Sequence, residues 1–358
     1  MLLKDYFPNL DKKYHKLSFK GIAFNSKEVK DGYIFFAFKG KSTDGNFFIK
    51  DAIKKGSEII ITDKFKINGW KNNVLFLNDK NPRNLLAKFS SKIFNKKPNN
   101  LIGVTGTNGK SSIANFYFQI LTLNRIKVAS IGTLGVTGLK VKKNFSNTTF
   151  DTIQINKILK KLKERRIENV ILEASSHGLN QNRLDGLEFD IGIFTNFTRD
   201  HLDYHKDMET YFKVKLSIMD TLSIDTKIIV NIDDEYGKIF FTEATNRGFK
   251  VETIGFSDIA DVKLRVTQGT LGTQFIEIVR GDLVYKFQTH LIGEFQAANL
   301  GMALLTCETF GFKFDELVCF CDTLKPVPGR LEFVGKTKKG ALVYIDFAHT
   351  PDGLKHLL

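Results

Sequence analysis

Residues 101–112 read Leu-Ile-Gly-Val-Thr-Gly-Thr-Asn-Gly-Lys-Ser-Ser, an apolar run that breaks into a glycine-rich turn ending in Gly109-Lys110-Ser111. LIGVT has the composition of a buried strand, and the spacing of apolar residues from about 111 to 124 predicts a helix after the turn. In a strand–turn–helix of this kind, backbone N–H groups wrap a phosphate and the helix presents its positive end to it. The general pattern G-x-x-x-x-G-K-[ST] would put its first glycine at 104, where Val104 stands; Gly103 lies one place early and Gly106 supplies the freedom inside the loop. Thr105, Gly106, Thr107, Asn108, Gly109, Lys110, Ser111 and Ser112 are therefore the expected nucleotide site. Lys110 would meet the β/γ-phosphates and the Ser111 hydroxyl a magnesium ion.

Outward from this loop, strand-like and helix-like stretches alternate. KVASI (127–131) precedes an amphipathic helix near 152–166 with apolar residues at 155, 158, 159 and 162, and VILEA (170–174), DIGIFTN (190–196) and KIIVNI (227–232) follow. Such alternation predicts a mainly parallel sheet covered by helices, an α/β fold class. Upstream, IFFAF (34–38) and EIIIT (58–62) read as strands around a helix near 47–55, and FNKKPNN (94–100) reads as a linker. Downstream, TQFIEIV and LVYKFQTHLIG alternate around Arg280-Gly281-Asp282, a hairpin pattern. KPVPGR (325–330) reads as a second linker and ALVYIDFAHT (341–350) as a new strand. Domains are expected over 1–97 and 98–328, with 329–358 as the beginning of a third. A piece of about 30 residues is short for an independent domain, so most of the third is expected to be absent from this chain.

Composition narrows the class. The chain has 358 residues, 42% hydrophobic and 26% charged, which leaves room for two or three domains and excludes wholesale disorder. No apolar run reaches the ~18 residues of a membrane span. Residues 1–20 lack the apolar core and cleavage site of a signal peptide, so a cytoplasmic protein is expected. Cys307, Cys319 and Cys321 are too few for a disulfide framework or a four-ligand zinc site and read as buried free thiols. The net charge of +14 is scattered without a long basic block. It reads as solvated faces that steer anionic small substrates, with no nucleic-acid partner.

Further segments stand along the chain: Asn25-Ser26-Lys27, Asn147-Thr148-Thr149, Glu173-Ala174-Ser175-Ser176-His177-Gly178-Leu179, Thr195-Asn196-Phe197-Thr198-Arg199-Asp200-His201-Leu202-Asp203, Asn231-Ile232-Asp233-Asp234-Glu235 and Asp346-Phe347-Ala348-His349-Thr350-Pro351-Asp352. With the loop, and in this order over nearly the whole chain, they resemble the Mur ligases, ATP-dependent amide-bond-forming enzymes of peptidoglycan precursor synthesis. The segments are most similar to the branch that adds the third amino acid to UDP-N-acetylmuramoyl-dipeptide. The resemblance implies a UDP-sugar-binding first domain, a central ATPase domain and a Rossmann-like third domain that reads the amino acid. It implies catalytic roles for Lys110, His201 and Lys215. It implies two Mg²⁺ ions, one held by Ser111 and Glu173, the other by His201 and by Lys215 as a CO₂-derived carbamate. Asn299, Arg330, Asp346 and His349 would join the loop in binding ATP. Ser26 would enter the UDP-sugar pocket, and Asn147, Thr148, Thr149, Ser175, Gln181 and Arg183 would hold the dipeptide.

Residue chemistry adds its own weight at three places. Glu173 ends a predicted strand, and a carboxylate facing Ser111 suits the oxygen preference of Mg²⁺. Arg183 can grip a carboxylate through two parallel hydrogen bonds. Lys215 falls on the helical stripe of Met208, Tyr211, Phe212 and Met219. A lysine there either snorkels to solvent or, desolvated and neutral, can react with CO₂; the residues alone leave both open. Three positions besides Val104 depart from the family pattern: Asn25-Ser26-Lys27 stands for Asp-Ser-Arg, and Gln296 stands for Asn. The implied partners are UDP-N-acetylmuramoyl-dipeptide and an amino acid, meso-diaminopimelate with L-lysine as the alternative, on a monomeric protein. A sister ligase of the Mur or folylpolyglutamate type and a non-catalytic nucleotide-binding module are the rival readings.

Overall fold

The computed structural model describes residues 1–7, 10–40, 43–64, 68–139, 147–269 and 272–357. Two units emerge. The first comprises Met1–Asn95 with Asp151–Ile158 and Gln181–Leu187; the second comprises Lys96–Phe150, Leu159–Asn180 and Glu188–Leu358.

In the first unit β1 (Gly21–Ala23), β2 (Tyr33–Ala37), β3 (Ile59–Thr62), β4 (Gly69–Lys71) and β5 (Val74–Asn78) form one sheet in the order β1-β2-β3-β5-β4. All its pairs are parallel except β4–β5. The unbroken Ile and Phe runs of β2 and β3 need cover on both faces. Ala52 of α1 (Ile49–Lys54) packs on Phe35 and Ile60, while Leu85, Leu86 and Phe89 of α2 (Pro82–Ile93) pack on Ile34, Phe36 and Ile61. Asn81 caps α2 by accepting from the Asn84 N–H, with Pro82 in the first turn.

The second unit is built on a ten-stranded sheet among the described residues. Its strands are β6 (Asn100–Thr105), β7 (Val128–Gly132), β8 (Gly135–Val136), β9 (Asn169–Glu173), β10 (Phe189–Phe194), β11 (Leu222–Asn231), β12 (Lys250–Gly255), β13 (Val262–Gln268), β14 (Gln274–Arg280) and β15 (Leu283–Thr289). They lie in the order β15-β14-β13-β12-β11-β10-β6-β9-β7-β8. The run from β13 to β7 is parallel, as the alternating pattern predicts, and the hairpin around Arg280-Gly281-Asp282 extends it antiparallel. Helices α3 (Lys110–Leu123), α4 (Thr152–Glu164), α5 (Ser176–Asn180), α6 (Met208–Leu216), α7 (Glu235–Asn246), α8 (Glu294–Thr309) and α9 (Phe314–Val318) intervene, and the antiparallel pair β16 (Glu332–Lys336) and β17 (Leu342–Ile345) precedes α10 (Pro351–Leu357). Residues of α4 up to Ile158 belong to the first unit and the rest to the second.

The core of the second unit lies where Ile113, Phe116, Tyr117 and Ile120 of α3 meet Ala297, Leu300, Leu304 and Leu305 of α8. β6 sits centrally, between β9 and β10, so the turn after it opens at the point where the chain changes direction across the sheet. Ligands of open α/β sheets bind in such crevices. Some boundaries differ from the sequence reading. α6 ends at Leu216, so Met219 of the predicted stripe falls in a tight 3₁₀ turn (Ser217–Thr221), although it is still buried. No helix among the described residues is long and apolar enough to cross a membrane.

The cysteines need one correction: Cys307 and Cys321 are buried, but Cys319 is exposed, because α9 has ended before it. Burial pushes the thiols of Cys307 and Cys321 upward, which makes them inert as well as inaccessible. Ellman's reagent is expected to titrate one thiol per native chain and three after denaturation; three fast thiols in the native protein would show that this packing is wrong.

Candidate functional site

The turn after β6 is shaped by its neighbours. Gly106 has φ +139° and Gly109, at the N-cap of α3, has φ +85°. A Cβ at Gly106 would overlap Thr195 Oγ1, and one at Gly109 would run into the Asn299 amide oxygen. Both positions therefore require glycine on steric grounds. Val104, where the general pattern has glycine, lies inside β6 opposite Glu173 and Ile193, before the chain begins to turn. The end of β10 braces the loop. Thr107 N–H donates to the Asn196 carbonyl (2.9 Å), Asn108 N–H to Asn196 Oδ1 (2.9 Å), and Thr195 Oγ1–H to the Asn108 carbonyl (2.6 Å).

Two lysines converge beneath this turn. Lys110 Nζ donates to the carbonyls of Gly106 (2.8 Å) and Thr107 (2.6 Å), and Lys215 Nζ donates to the same Gly106 carbonyl (2.7 Å). Lys215 is 1% exposed, so the side chain does not snorkel. Its burial, reinforced by the Lys110 charge, holds its pKa well below the ordinary lysine value. The pKa of Lys110 is lowered to about 8, by burial first and by Arg330, against the pull of Glu173 and Asp200. Tyr211 lies under both lysines' partners: its ring centroid is 5.2 Å from Lys215 Nζ and its hydroxyl 3.3 Å from Thr107 Oγ1.

Glu173, at the end of β9 and 2% exposed, accepts three hydrogen bonds: Ser111 Oγ–H to Oε2 (2.9 Å), Thr133 N–H to Oε1 (3.0 Å) and Thr133 Oγ1–H to Oε2 (3.0 Å). Gly132 stands beside it without room for a Cβ. A carboxylate and a hydroxyl next to a phosphate loop fit Mg²⁺, which takes one or two carboxylates and completes its shell with phosphate and water oxygens. Among the described residues no three His, Cys, Asp or Glu side chains converge into an all-protein metal cage. His201, at φ +51°, places Nε2 3.4 Å from Asp200 Oδ2 and its ring edge-on to His177 at 5.0 Å. Burial lowers its pKa, helped by Lys215 and Lys110 against Asp200, which favours the neutral imidazole that ligates metals.

The Asn147–Thr149 turn meets this carboxylate. Thr149 Oγ1–H donates to the Glu173 carbonyl (2.7 Å) and accepts from Ser175 N–H (2.9 Å), while Thr148 Oγ1 lies 3.1 Å from Thr133 Oγ1. Asn147 is exposed. The remaining predicted residues stand apart from this carboxylate. Asn299 lies in the second turn of α8, with its Nδ2 donating to Gln296 Oε1 (3.1 Å). Asp346 accepts from the Leu331 and Ala348 N–H groups (2.7 and 2.6 Å), His349 Nδ1 is 2.8 Å from the Phe347 carbonyl, and Arg330 lies over the Phe347 ring at 5.2 Å. Arg330, Gln296, His290, Pro326, Phe333 and Tyr344 are among the residues lining an open cleft of about 780 Å³.

In the first unit Ser26 is buried in a 3₁₀ turn (Ser26–Glu28) that Asn25 caps by accepting from Lys27 N–H (3.0 Å). The cap needs only a side-chain oxygen, so the departure from Asp at 25 preserves it. In the same unit Gln181 Oε1 accepts from Arg183 (2.8 Å). Sequence reasoning gave no role to Thr133 or Tyr211, and none to Thr195 and Asn196 beyond their place in a motif. The adjacency of β6 and β10, some ninety residues apart, is what gives the last two their task.

Residues 104–307 match the Mur ligase middle domain and residues 18–92 the Mur ligase family catalytic domain. The UDP-N-acetylmuramoyl-L-alanyl-D-glutamate–2,6-diaminopimelate ligase of Rickettsia conorii (strain ATCC VR-613 / Malish 7) is 38% identical over 355 residues, 98% of this chain and 72% of that protein. A solved structure of a ligase with the same name superimposes with a TM-score of 0.82 at 27% identity, over 100% of this chain and 74% of the other. A MurF ligase from Thermotoga maritima shares the fold, with a TM-score of 0.64 at 21% identity over 94% of this chain and 73% of its own.

Proposed function

The chain belongs to the Mur ligase family, and from that premise we propose that it is a MurE-type ligase, joining meso-diaminopimelate to UDP-N-acetylmuramoyl-L-alanyl-D-glutamate at the expense of ATP. The observation that carries the reading is the meeting of Lys110 and Lys215 on the Gly106 carbonyl, next to the Ser111–Glu173 pair. That arrangement is an oxygen-lined seat for a triphosphate, with Lys110 as its cation. In this reading 1–97 bind the UDP-sugar through Ser26, 98–328 bind ATP, and 329–358 begin the amino-acid-binding domain, in a cytoplasmic monomer.

The γ-carboxylate of the substrate's D-Glu attacks the γ-phosphorus of ATP; the bond to the β-phosphate oxygen breaks, leaving ADP and an acyl phosphate. The amine of the amino acid then attacks the acyl carbon, gives up a proton and displaces inorganic phosphate. Such transfer needs positioning and charge neutralisation more than covalent help. Lys110 turns from its loop carbonyls to the β/γ-phosphates, and the N–H groups from Gly109 to Ser112 wrap them. Asn299, Arg330, Asp346 and His349 hold the rest of the nucleotide. Asn147, Thr148, Thr149, Ser175, Gln181 and Arg183 hold the dipeptide and aim its acid group. Two Mg²⁺ ions, one on Ser111 and Glu173 and one on His201 and carbamylated Lys215, would neutralise charge on the phosphoryl group. The carbamate forms when the neutral Lys215 amine bonds to the carbon of CO₂ and releases a proton to solvent.

The purified chain, given UDP-N-acetylmuramoyl-L-alanyl-D-glutamate, meso-diaminopimelate, ATP and Mg²⁺, is expected to yield the tripeptide product by mass spectrometry with one ADP and one phosphate each, and much less with L-lysine. ATP consumption that instead needs the UDP-tripeptide or a folate would assign it to a sister ligase. ATP bound but never consumed would make it a nucleotide-binding module.

A further inference from the structure

We infer that Thr133 is a positioning residue that couples the Asn147–Thr149 turn to the Glu173 carboxylate, so that muropeptide binding and divalent-cation binding strengthen each other. The inference rests on the ligase reading above. Its basis is a proton count. Glu173 receives hydrogen bonds from Ser111, from Thr133 N–H and from Thr133 Oγ1–H, so it acts as an acceptor only. Thr133 has a single hydroxyl proton, and Glu173 takes it. The contact of 3.1 Å between Thr133 and Thr148 must then run the other way, with Thr148 donating to Thr133. A directed relay results, Thr148 to Thr133 to Glu173, crossing from a turn that faces peptide substrate to the oxygen that a cation would share with Ser111.

Two features keep the relay in register. Gly132, by lacking a Cβ, lets Glu173 Oε1 lie against the end of β7, and the Thr133 main-chain N–H pins that oxygen there, so Oε2 answers to the hydroxyl. With its proton committed to Thr133, Thr148 faces outward as an acceptor, suited to a peptide N–H. A donor arriving there polarises the chain of hydroxyls toward the carboxylate. A ligand bound at one end changes the other by the same factor in both directions.

The test measures Mn²⁺ binding by electron paramagnetic resonance in the presence of a non-hydrolysable ATP analogue, with and without UDP-N-acetylmuramoyl-L-alanyl-D-glutamate. The wild-type chain is expected to bind Mn²⁺ about fivefold or more tightly with the muropeptide, the lower range of ordinary site coupling. Thr133→Val, which keeps the N–H bond and the side-chain shape, should abolish that gain, and Thr133→Ser should restore it. Thr148→Val should lose it too, and the double variant should lose no more than either alone. Coupling that survives Thr133→Val, fails to return with Ser, or is absent from a wild-type chain that does bind Mn²⁺ with nucleotide overturns the inference alone. A wild-type chain that binds no Mn²⁺ with nucleotide overturns the ligase reading and the inference with it.

Discussion

Lys215→Ala should lower the rate of ligation by roughly a thousandfold, the worth of several kcal/mol of charge stabilisation at a metal-assisted phosphoryl transfer. The fold should survive, because the removed group is a buried amine whose own desolvation opposes folding and whose acceptor, the Gly106 carbonyl, keeps Lys110 as a donor. Turnover and thermal melting on the same preparation check both halves. Lys215→Arg separates this account from a structural one. Arginine keeps a donor near Gly106 but cannot take up CO₂, so it should be as inactive as alanine. The lowered pKa of Lys215 fixes the sign of a further observation: a depressed pKa leaves more neutral amine near neutral pH, so carbamylation by ¹³C-bicarbonate should appear in the wild-type spectrum and vanish in both variants. Retained turnover in Lys215→Arg would refute the carbamate assignment.

Gly106→Ala should abolish measurable nucleotide binding and lower the melting temperature by several degrees. At φ +139° a side chain costs about 1–3 kcal/mol of backbone strain. The added Cβ also overlaps Thr195 Oγ1, the hydroxyl that ties the Asn108 carbonyl, so overpacking adds a further ~1–3 kcal/mol unless the loop moves. Movement relieves the strain but displaces the carbonyl on which both lysines rest. Calorimetric titration with an ATP analogue, beside a melting curve, reads the two effects. Gly311→Ala is the control: φ there is +87° with open space around it, so about 1 kcal/mol of stability should be lost with nucleotide affinity unchanged.

What could be read without coordinates was what local pattern encodes. The parallel sheet announced itself because strands buried on both faces are unbroken apolar runs, as LIGVT, VILEA and KIIVNI are. The phosphate turn was legible because glycine, lysine and serine are needed there at fixed spacing. Strand order was not legible, and with it went the bracing of the loop by Thr195 and Asn196, which depends on β10 lying beside β6. The return of residues 151–158 and 181–187 to the first unit escaped for the same reason, since pairings such as Ser91 with Gly186 link positions about ninety residues apart. Lys215 shows the boundary most clearly: helical spacing placed it on an apolar stripe, but only the neighbouring Gly106 carbonyl, 109 residues away in sequence, decides that the amine points inward. Thr133 carried no signal at all; an isolated threonine after a strand is ordinary turn chemistry.

One carbonyl oxygen has two lone pairs, and at Gly106 both are occupied by lysine Nζ donors. Lys110 is thus already immobilised, and an arriving phosphate offers it an anionic acceptor in place of a neutral one instead of recruiting a floppy chain from solvent. The conformational toll of gripping the polyanion was met when the polypeptide first collapsed. Titration calorimetry should accordingly find association with nucleotide carrying little unfavourable ordering entropy from the cationic seat.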